Sequence, residues 1–271
     1  MSVPKLKLAD GHRIPQVGLG TWKLPEEAYM KAFNAAVQAG YRHFDTAQAY
    51  GNEELLGEAW HKAGLKREEL FITTKINVTN FGYGRAKSAF DRSLKNIRTD
   101  YVDLLLLHFP VPLLRKKSWQ ALEEIQADGK ARSIGVSNYT IHHLEEMQDY
   151  AKVSPVVNQI ELHVFLQQPE LVKYCQDHDI TLEAYSPLAH GTPMDDTTIL
   201  RLARKHDRTY AQIMLRWCLQ KGFVVIPKSA TPSRIMENIE LFDFELDDKD
   251  MAELAAQDKD LRTCWNPTHV P

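Results

Sequence analysis

Short β-forming runs recur along this chain, and their spacing restricts the fold more than any other feature. Eight such runs occur in 271 residues, roughly 34 residues apart, as expected for repeated βα units. Amphipathic segments separate the runs, for example at 26–40 and 85–97, and the first of these ends at Gly40, placed as a helix C-cap. The β-forming runs are 17–20, 42–46, 70–75, 101–108, 133–138, 156–162, 180–186 and 223–229.

Several of these runs are almost entirely apolar, as in parallel strands that are covered on both faces. Eight βα units in a chain of this length favour a (β/α)8 TIM barrel, with a doubly wound sheet as the structural alternative. The dinucleotide-binding form of that alternative needs GxGxxG after the first strand, and only Gly18 and Gly20 are present there. We therefore predict a single barrel domain over 1–271, preceded by a short β-hairpin that turns at Asp10 and Gly11.

Composition restricts the partners and the compartment. Hydrophobic residues make up 44% and charged residues 25% of the chain, and the net charge of −3 offers no basic surface for nucleic acid. The three cysteines are far apart and form no CxxC, which predicts neither a zinc site nor a disulfide framework. The N-terminus lacks the apolar core of a signal peptide, and no apolar run approaches the length of a membrane span. We expect a cytoplasmic monomer that needs no metal, nucleic acid or membrane.

Polar residues close the β-forming runs at their carboxyl ends. Asp45, Lys75 and His108 close three consecutive runs, and Tyr50 follows Asp45 by five residues. In a closed barrel these ends meet on one face, where barrel enzymes carry their active sites. We expect these four side chains around one pocket. Three of the later runs close with polar pairs, and the run 156–162 carries one late in its length. The closing pairs are Ser137 and Asn138, Tyr185 and Ser186, and Lys228 and Ser229, and the late pair is Asn158 and Gln159.

The order of these motifs resembles the aldo-keto reductase superfamily over essentially the whole chain. The resemblance rests on "DTAQAYGNE", "ITTK", "VDLLLLH", "IGVSN", "NQIELH" and "IPKSATPSRIMENI". It is strongest to short bacterial members described as 2,5-diketo-D-gluconate or methylglyoxal reductases. The resemblance implies an NADPH-dependent oxidoreductase that reduces aldehydes and ketones to alcohols. It also implies a catalytic tetrad of Asp45, Tyr50, Lys75 and His108.

These four residue types suit carbonyl reduction, in which the developing alkoxide needs a proton. Tyr50 can donate it, although a free phenol has a pKa of about 10 and is a reluctant acid. The Lys75 ammonium lowers that pKa, Asp45 keeps Lys75 charged, and His108 can orient the carbonyl oxygen. Taken singly, each residue is more often structural. Their joint placement at consecutive strand ends favours catalysis.

Anion binding is predicted at 227–239 without a Gly-rich loop. Thr231 is expected as the N-cap of a helix that starts at Pro232, which leaves free backbone N–H groups at the helix start. Lys228, Ser229 and Arg234 lie close by in sequence and could hold the 2′-phosphate of NADPH. The alternative is an ordinary capped helix with solvated cations.

The remaining cofactor contacts are implied by the resemblance alone. Glu237 and Asn238 would contact the adenine, and Tyr185 would stack on the nicotinamide. Carboxamide contacts are implied for Ser137, Asn138 and Gln159, and pyrophosphate contacts for Ser186 and Leu188. Further cofactor contacts are implied for Gly20, Thr21, Trp22 and Asp45.

The substrate pocket is expected between Trp22, Tyr50, His108, Phe109 and the tail "CWNPTHVP". Phe109 and Asn77 stand where many relatives carry Trp, which predicts a roomier and more polar pocket for small aldehydes, α-dicarbonyls or keto-sugars. His142 and His143 are adjacent and therefore face different sides of a helix, which favours a surface role over metal binding. The alternative function is a nicotinamide-nucleotide-binding regulatory or redox-sensing subunit, as in the potassium-channel β subunits. Such a subunit is distinguished by whether NADPH is consumed when an activated aldehyde is added.

Overall fold

The computed structural model describes residues 3–191 and 194–271, and its centre is a parallel sheet that follows the order of the chain. A separate antiparallel hairpin of β1 (Lys5–Lys7) and β2 (Arg13–Pro15) precedes it, as predicted. Eight strands form the sheet within the described residues, each paired with the next in sequence. They are β3 (Gly18–Gly20), β4 (His43–Asp45), β5 (Phe71–Ile76), β6 (Val102–Leu107), β7 (Ala131–Ser137), β8 (Val157–Glu161), β9 (Thr181–Tyr185) and β10 (Val224–Val225).

The sheet curls into a nearly closed barrel, which confirms the predicted fold. A parallel bridge between Val17 and Val225 joins its two edges. The backbone N–H of Gly20 also donates to the carbonyl of Pro227 at 3.2 Å. Gly20 permits this close approach, because a Cβ there would lie 2.7 Å from the carbonyl oxygen of Ile226.

The last strand is much shorter than the run 223–229 predicted. It ends at Val225, and Pro227 follows in the loop without an amide hydrogen to donate to a ladder. Lys228 and Ser229 therefore lie in the loop after β10 rather than closing the strand.

Helices follow the strands along the chain. The first begins at Glu26 and ends before Gly40, which adopts a φ of 103° as a left-handed C-cap, as the sequence predicts. No helix in the described ranges has the length and apolar character needed to cross a membrane. The helices are α1 (Glu26–Ala39), α2 (Glu53–Lys62), α3 (Tyr83–Ile97), α4 (Arg115–Ala127), α5 (Ile141–Gln148), α6 (Pro169–Asp177), α7 (Thr197–His206), α8 (Tyr210–Gln220), α9 (Pro232–Glu237) and α10 (Asp248–Ala255).

The barrel interior changes from apolar to polar along the strands. At its amino end, Leu8 and Ile14 of the hairpin segment pack with Phe71, Leu104 and Val224 in one apolar cluster. Side chains two residues apart on a strand point to the same face, so each interior position has a partner one layer above it. The polar residues near the carboxyl ends therefore lie directly over this apolar plug.

Candidate active site

A cavity of about 700 Å³ opens at the carboxyl ends of the strands, within the size range of small-molecule and cofactor sites. Its wall brings together residues from the strand ends, the loops after them, α9 and the C-terminal tail. The predicted site residues that line it are Gly20, Trp22, Asp45, Tyr50, His108, Ser137, Asn138, Gln159, Tyr185, Ser186, Leu188, Lys228, Ser229, Arg234, Glu237 and Asn238.

Four predicted residues do not line the cavity. Lys75 is completely buried beneath it, and Thr21 is buried with its hydroxyl donating to the backbone carbonyl of Asp45 at 2.8 Å. Phe109 packs edge-on against Trp265 with the ring centres 6.2 Å apart. Thr231 occupies the N-cap position of α9, but its side chain makes no capping hydrogen bond. Thr21 thus joins the segment after β3 to β4, and Phe109 contacts the cavity wall at Trp265.

Lys75 is the centre of the tetrad. Its Nζ donates to both carboxylate oxygens of Asp45, at 2.6 and 2.7 Å, and to the backbone carbonyl of Thr46 at 3.0 Å. It also donates to the phenol oxygen of Tyr50 at 3.1 Å. The positions of these residues follow from the barrel, because β4 and β5 are hydrogen-bonded neighbours with Asp45 opposite Thr73.

This arrangement leaves the Tyr50 proton free for a ligand. A phenol has one O–H donor and accepts through its oxygen, and the Lys75 ammonium occupies the acceptor side. The half-buried Tyr50 ring lies edge-on to His108, with the ring centres 5.6 Å apart, and both residues line the cavity. Within the described chain, His108 binds Asn138 through its backbone carbonyl, and its ring nitrogens make no hydrogen bond. Both groups can therefore point a donor at the same bound oxygen.

Burial and the Lys75 charge set the protonation states of the tetrad. Burial lowers the pKa of Lys75, but attraction to Asp45 and Tyr50 outweighs it, and the net shift is upward. Burial raises the pKa of Tyr50 to about 12, although Lys75 lowers it. The predicted influence of Lys75 has the right sign but is smaller than the effect of burial. Burial, with a contribution from Lys75, lowers the pKa of His108 to about 3, so this imidazole is neutral at ordinary pH.

The residues expected at the nicotinamide are joined in one network. The Asn138 amide donates to the His108 carbonyl at 3.1 Å and to the Ser137 hydroxyl at 3.0 Å, and its oxygen accepts from the Tyr185 hydroxyl at 2.7 Å. Asn138 adopts a φ of 65° to make these contacts. The Gln159 amide nitrogen donates at 2.8 Å to Asp45 and is likewise engaged. The wall of this part of the cavity is therefore fixed before any ligand binds.

Another part of the cavity wall carries the residues predicted to bind phosphate. Lys228 and Arg234 are exposed, and neither is in an ion pair within residues 3–191 and 194–271. The Ser229 hydroxyl accepts from the backbone N–H of Thr231 at 3.1 Å, so it binds the residue before α9 and does not cap the helix. Glu237 accepts a hydrogen bond from the Thr209 hydroxyl at 2.7 Å.

The C-terminal tail forms one wall of the cavity, and a buried carboxylate binds two of its residues. Glu161, at the end of β8, accepts from the Thr263 amide at 2.6 Å and hydroxyl at 2.5 Å, and from the Cys264 amide at 3.0 Å. Thr263, Cys264 and Trp265 then line the cavity. The tail was predicted to form a pocket wall, but its anchor at Glu161 was not.

A second contact of the tail corrects the prediction for the histidine pair. His142 and His143 were expected on the surface. His142 is exposed, but His143 is buried, and the two ring centres lie 3.8 Å apart. The Nε2 atoms of both rings lie 2.9 Å from the carbonyl oxygen of Val270. The pair occupies the first turn of α5, where tail packing rather than helix-face geometry determines its environment.

Several lining residues were missed because nothing in their local sequence marks a binding site. Thr209 and Gln212 form a capping box at the start of α8, a pattern that predicts a helix start but not its place beside the cavity. The other missed positions depend on how the loops after β3, β9 and β10 fold over the barrel. The lining residues outside the sequence prediction are Lys23, Pro187, His190, Gly191, Met194, Thr209, Tyr210, Ala211, Ile226, Pro227 and Thr263.

Comparison with known proteins gives one consistent result. Residues 16–259 match the model of the Aldo/keto reductase family. The chain belongs to this family. Glyoxal reductase of Bacillus subtilis (strain 168) is 44% identical over 266 residues, which cover 98% of this chain and 96% of that protein. Methylglyoxal reductase DkgA of Escherichia coli (strain K12) is 46% identical over 266 residues, with 97% and 96% covered.

Solved structures of family members superpose closely on the barrel. An aldo/keto reductase from Brucella melitensis has a TM-score of 0.92 at 45% identity and covers 95% of this chain and 100% of its own. A Bombyx mori aldo-keto reductase in complex with NADP has a TM-score of 0.91 at 35% identity, with 97% and 95% covered. The fold and the family predicted from the sequence are both confirmed.

Proposed function

We propose that this protein reduces the aldehyde group of small α-dicarbonyl compounds, such as methylglyoxal or glyoxal, with NADPH as the reductant. The observation that carries the proposal is the geometry at Tyr50. The Lys75 ammonium binds its oxygen at 3.1 Å, and its O–H remains available to a ligand in the cavity. The two bacterial relatives, a glyoxal reductase and a methylglyoxal reductase by name, support this substrate class.

The residues of the cavity fit a nicotinamide dinucleotide phosphate. Lys228 and Arg234 are exposed cations without ion-pair partners among the described residues, as a site for a 2′-phosphate requires. For the nicotinamide, Tyr185 offers a half-buried ring, and Ser137 and Gln159 present polar groups at the cavity wall. The whole set of cofactor-binding residues predicted from the sequence, apart from Thr21 and Thr231, is retained in the proposal.

Catalysis in this proposal depends on a proton held at the Tyr50 oxygen. When bound, NADPH supplies the hydride that reduces the carbonyl carbon. The Tyr50 O–H donates its proton to the carbonyl oxygen, and the phenolate that remains is stabilised by the ammonium of Lys75. Asp45 keeps that ammonium charged and in place through two hydrogen bonds. These contacts exist before a ligand binds, so little reorganisation is needed at the moment of reaction.

His108 orients the substrate in this proposal rather than supplying the proton. Its imidazole is neutral because burial lowers its pKa to about 3. A neutral ring can donate one hydrogen bond to the carbonyl oxygen and hold it beside Tyr50. Trp22 and Trp265 would bound the space for the rest of the substrate, with Phe109 behind Trp265.

The test is the loss of NADPH absorbance when methylglyoxal, glyoxal, simple aldehydes and keto-sugars are added in turn. We expect the α-dicarbonyl compounds to give the highest kcat/KM, and Tyr50→Phe to bind NADPH but consume very little. A protein that binds NADPH without consuming it on any of these carbonyls would contradict the proposal and favour the regulatory-subunit alternative.

We also propose a cytoplasmic monomer. All three cysteines are free thiols, which fits a reducing compartment. Cell fractionation with an antibody to the protein tests the location, and light scattering on a sizing column tests the monomer. Recovery in the periplasm, or a mass of twice 31.1 kDa or more, would contradict these two expectations.

A further inference from the structure

A second carboxylate lies beneath the tetrad in the barrel interior. Glu183 is the middle residue of β9 and points into the barrel two positions before Tyr185, where it is completely buried. His43 lies two positions before Asp45 on β4 and is also completely buried. These two residues form a polar layer between the tetrad and the apolar plug.

Gln159 connects this layer to the tetrad. Its amide nitrogen donates at 2.8 Å to Oδ2 of Asp45 and at 2.8 Å to Oε2 of Glu183. The other carboxylate oxygen of Glu183 lies 3.4 Å from Nε2 of His43, and that Nε2 lies 3.1 Å from the Thr73 hydroxyl. One amide group therefore links the two buried carboxylates. Gly18 supports the layer, because a Cβ there would lie 2.7 Å from the His43 ring.

The charges in this region do not balance unless one more proton is present. The titratable groups that face Glu183 are His43 and Asp45 on β4, Lys75 on β5 and Tyr50 in the segment after β4. Lys75 is the single permanent cation among them, and Asp45 already binds it with both oxygens. A second buried carboxylate without a cation costs several kcal/mol, as an order of magnitude. A proton held by Glu183, His43 or Asp45 removes that cost. Burial raises the pKa of Asp45 as well, but both of its oxygens accept from the Lys75 ammonium, which leaves Glu183 and His43 as the candidates.

The surroundings favour Glu183 as the group that carries the proton. Burial, followed by the Asp45 charge, raises the pKa of Glu183 to about 8. Burial lowers the pKa of His43 to about 3, so this ring stays neutral. Oε1 of Glu183 makes no hydrogen bond, and the ring that it faces at 3.4 Å is the neutral His43, so no cation balances a charge on this oxygen. The oxygen that accepts from Gln159 remains an acceptor in the protonated group.

We propose that Glu183 is a positioning residue for carbonyl reduction: it holds a proton beneath the tetrad, and its charge state controls the acidity of Tyr50. This inference rests on the proposed function, because it concerns the proton that Tyr50 donates. Glu183 itself touches neither the cavity nor a reacting atom. It acts through its charge on Tyr50 and through Gln159 on Asp45.

The direction of the effect follows from the charges. When Glu183 is neutral, the tetrad contains one carboxylate and one ammonium, and a phenolate at Tyr50 is opposed by Asp45 alone. When Glu183 loses its proton, a second negative charge disfavours the phenolate and raises the pKa of Tyr50. The protonated form of Glu183 therefore makes Tyr50 the stronger acid. Reduction should weaken as pH rises through the titration of Glu183.

The proton can be observed without any enzymatic activity. We would record infrared difference spectra of the wild type and of Glu183→Gln between about pH 6 and 10, a range that brackets the raised titration. The wild type should show the carbonyl stretch of a protonated carboxylic acid that disappears as pH rises, and Glu183→Gln should lack it. Glu53→Gln is the matched control, since Glu53 is a buried carboxylate bonded to Thr74 on the outer side of the barrel. An unchanged band in Glu183→Gln would overturn the assignment.

The functional part of the inference is tested by pH–rate profiles for methylglyoxal reduction and for oxidation of the product alcohol. Glu183→Gln imitates the neutral carboxylic acid, so the titration assigned to Tyr50 should move to lower pH by about one unit, the usual spread of side-chain pKa values in proteins. The KM for NADPH and the profile of Glu53→Gln should stay as in the wild type. A Glu183→Gln profile that coincides with the wild type would overturn the positioning role, whatever the infrared result.

The inference can still be tested if Glu183→Gln does not fold or if the proposed function fails. If Glu183→Gln does not fold, Glu183→Asp retains a titratable carboxyl and should show the same infrared band with a displaced midpoint, and the absence of that displacement would contradict the proposal. If the wild type reduces no carbonyl, the proposed function fails, while the infrared titration still decides whether Glu183 holds a proton.

Discussion

The charged residues of the tetrad and the cations near α9 differ in burial and in pairing. At the tetrad, Lys75 is completely buried and fully engaged with Asp45, Thr46 and Tyr50. By contrast, Arg234 on α9 is exposed and has no ion-pair partner within the described residues. An unpaired charge is costly in the interior but nearly free of cost in water. The protein must therefore fix and pair the charged side chains of the tetrad, whereas the exposed cations can stay unpaired until a ligand binds.

The supporting elements differ in the same sense. Asp45 and Lys75 lie on adjacent strands whose register fixes their distance. Arg234 lies on α9, a helix of six residues, after a loop that carries Lys228. Substitutions at the tetrad should therefore change chemistry and stability together, while substitutions at the cations should change ligand affinity alone. The predictions that follow test this difference, beginning with the largest effect.

Tyr50→Phe removes the proton donor and retains the ring. We expect methylglyoxal reduction to fall by about 10²–10⁴-fold, the usual contribution of general acid catalysis. NADPH affinity, measured by fluorescence titration, should stay within about twofold, since the ring is retained and only the proposed proton donor is lost. Turnover close to that of the wild type would remove Tyr50 from the mechanism.

Lys75→Met should both impair reduction and destabilise the fold, because it leaves the Asp45 carboxylate buried without its cation. Removing one partner of a buried ion pair costs roughly 3–5 kcal/mol. The double variant Lys75→Met with Asp45→Asn should recover much of that stability but none of the activity. Urea unfolding monitored by circular dichroism gives the stability. A single variant as stable as the wild type would show that the pair is not held as tightly as its geometry indicates.

His108→Gln separates orientation from proton supply within the tetrad. Because the pKa of His108 is about 3, no titration of this residue should appear in the pH–rate profile between pH 5 and 9. We expect the rate to fall while the titration assigned to Tyr50 stays in place, and Lys75→Met to move or erase that titration. Deuterated NADPH checks that hydride transfer limits the rate. If His108→Gln moves the titration as far as Lys75→Met, His108 belongs to the proton-donating system.

Arg234→Ala removes one of the exposed cations that line the cavity. It should weaken NADPH binding by about tenfold or more, as expected for the loss of a charge-assisted contact, and should change NADH binding little. The free energy of unfolding should stay within about 0.5 kcal/mol of the wild type, because an exposed residue away from special contacts is changed. Equal losses for both cofactors would assign Arg234 to the fold instead.

Glu161→Gln should change NADPH affinity the least of these variants and should raise mainly the KM for the substrate. It weakens the anchor of Thr263 and Cys264, so the KM for methylglyoxal should rise by several-fold, as expected when one hydrogen bond to a charged group is weakened. The kcat and the NADPH affinity should change little. A large loss of NADPH affinity would show that the tail supports the cofactor rather than the substrate.

Residues that a strand positions could be predicted from the sequence. Asp45 and His108 come at or just after a strand end, and a closed barrel brings such ends together whatever the loops do. His43 and Glu183 could also have been found, because each lies two positions before a predicted site residue and so faces the same interior. Their polarity at an interior position was the available signal.

Residues that depend on loops and on the tail could not be predicted in the same way. Lys23 and Met194 reach the cavity only because the segments after β3 and β9 fold over its mouth. The role of Glu161 depends on a contact with Thr263, which is 102 residues away in sequence. No local periodicity encodes such a contact. The shortening of β10 was visible only as Pro227 in a run that otherwise reads as a strand.

The anchoring of the tail by Glu161 has a consequence for how this protein can diverge. The four residues proposed for the chemistry lie at or shortly after the ends of β4, β5 and β6, while Trp265 and its neighbours reach the same cavity from a segment held by a few hydrogen bonds. A lineage can therefore exchange or lengthen the tail and acquire new substrates while its reaction stays as it was. Selection for another substrate would change residues 261–271, and selection on the reaction itself would change residues at the strand ends.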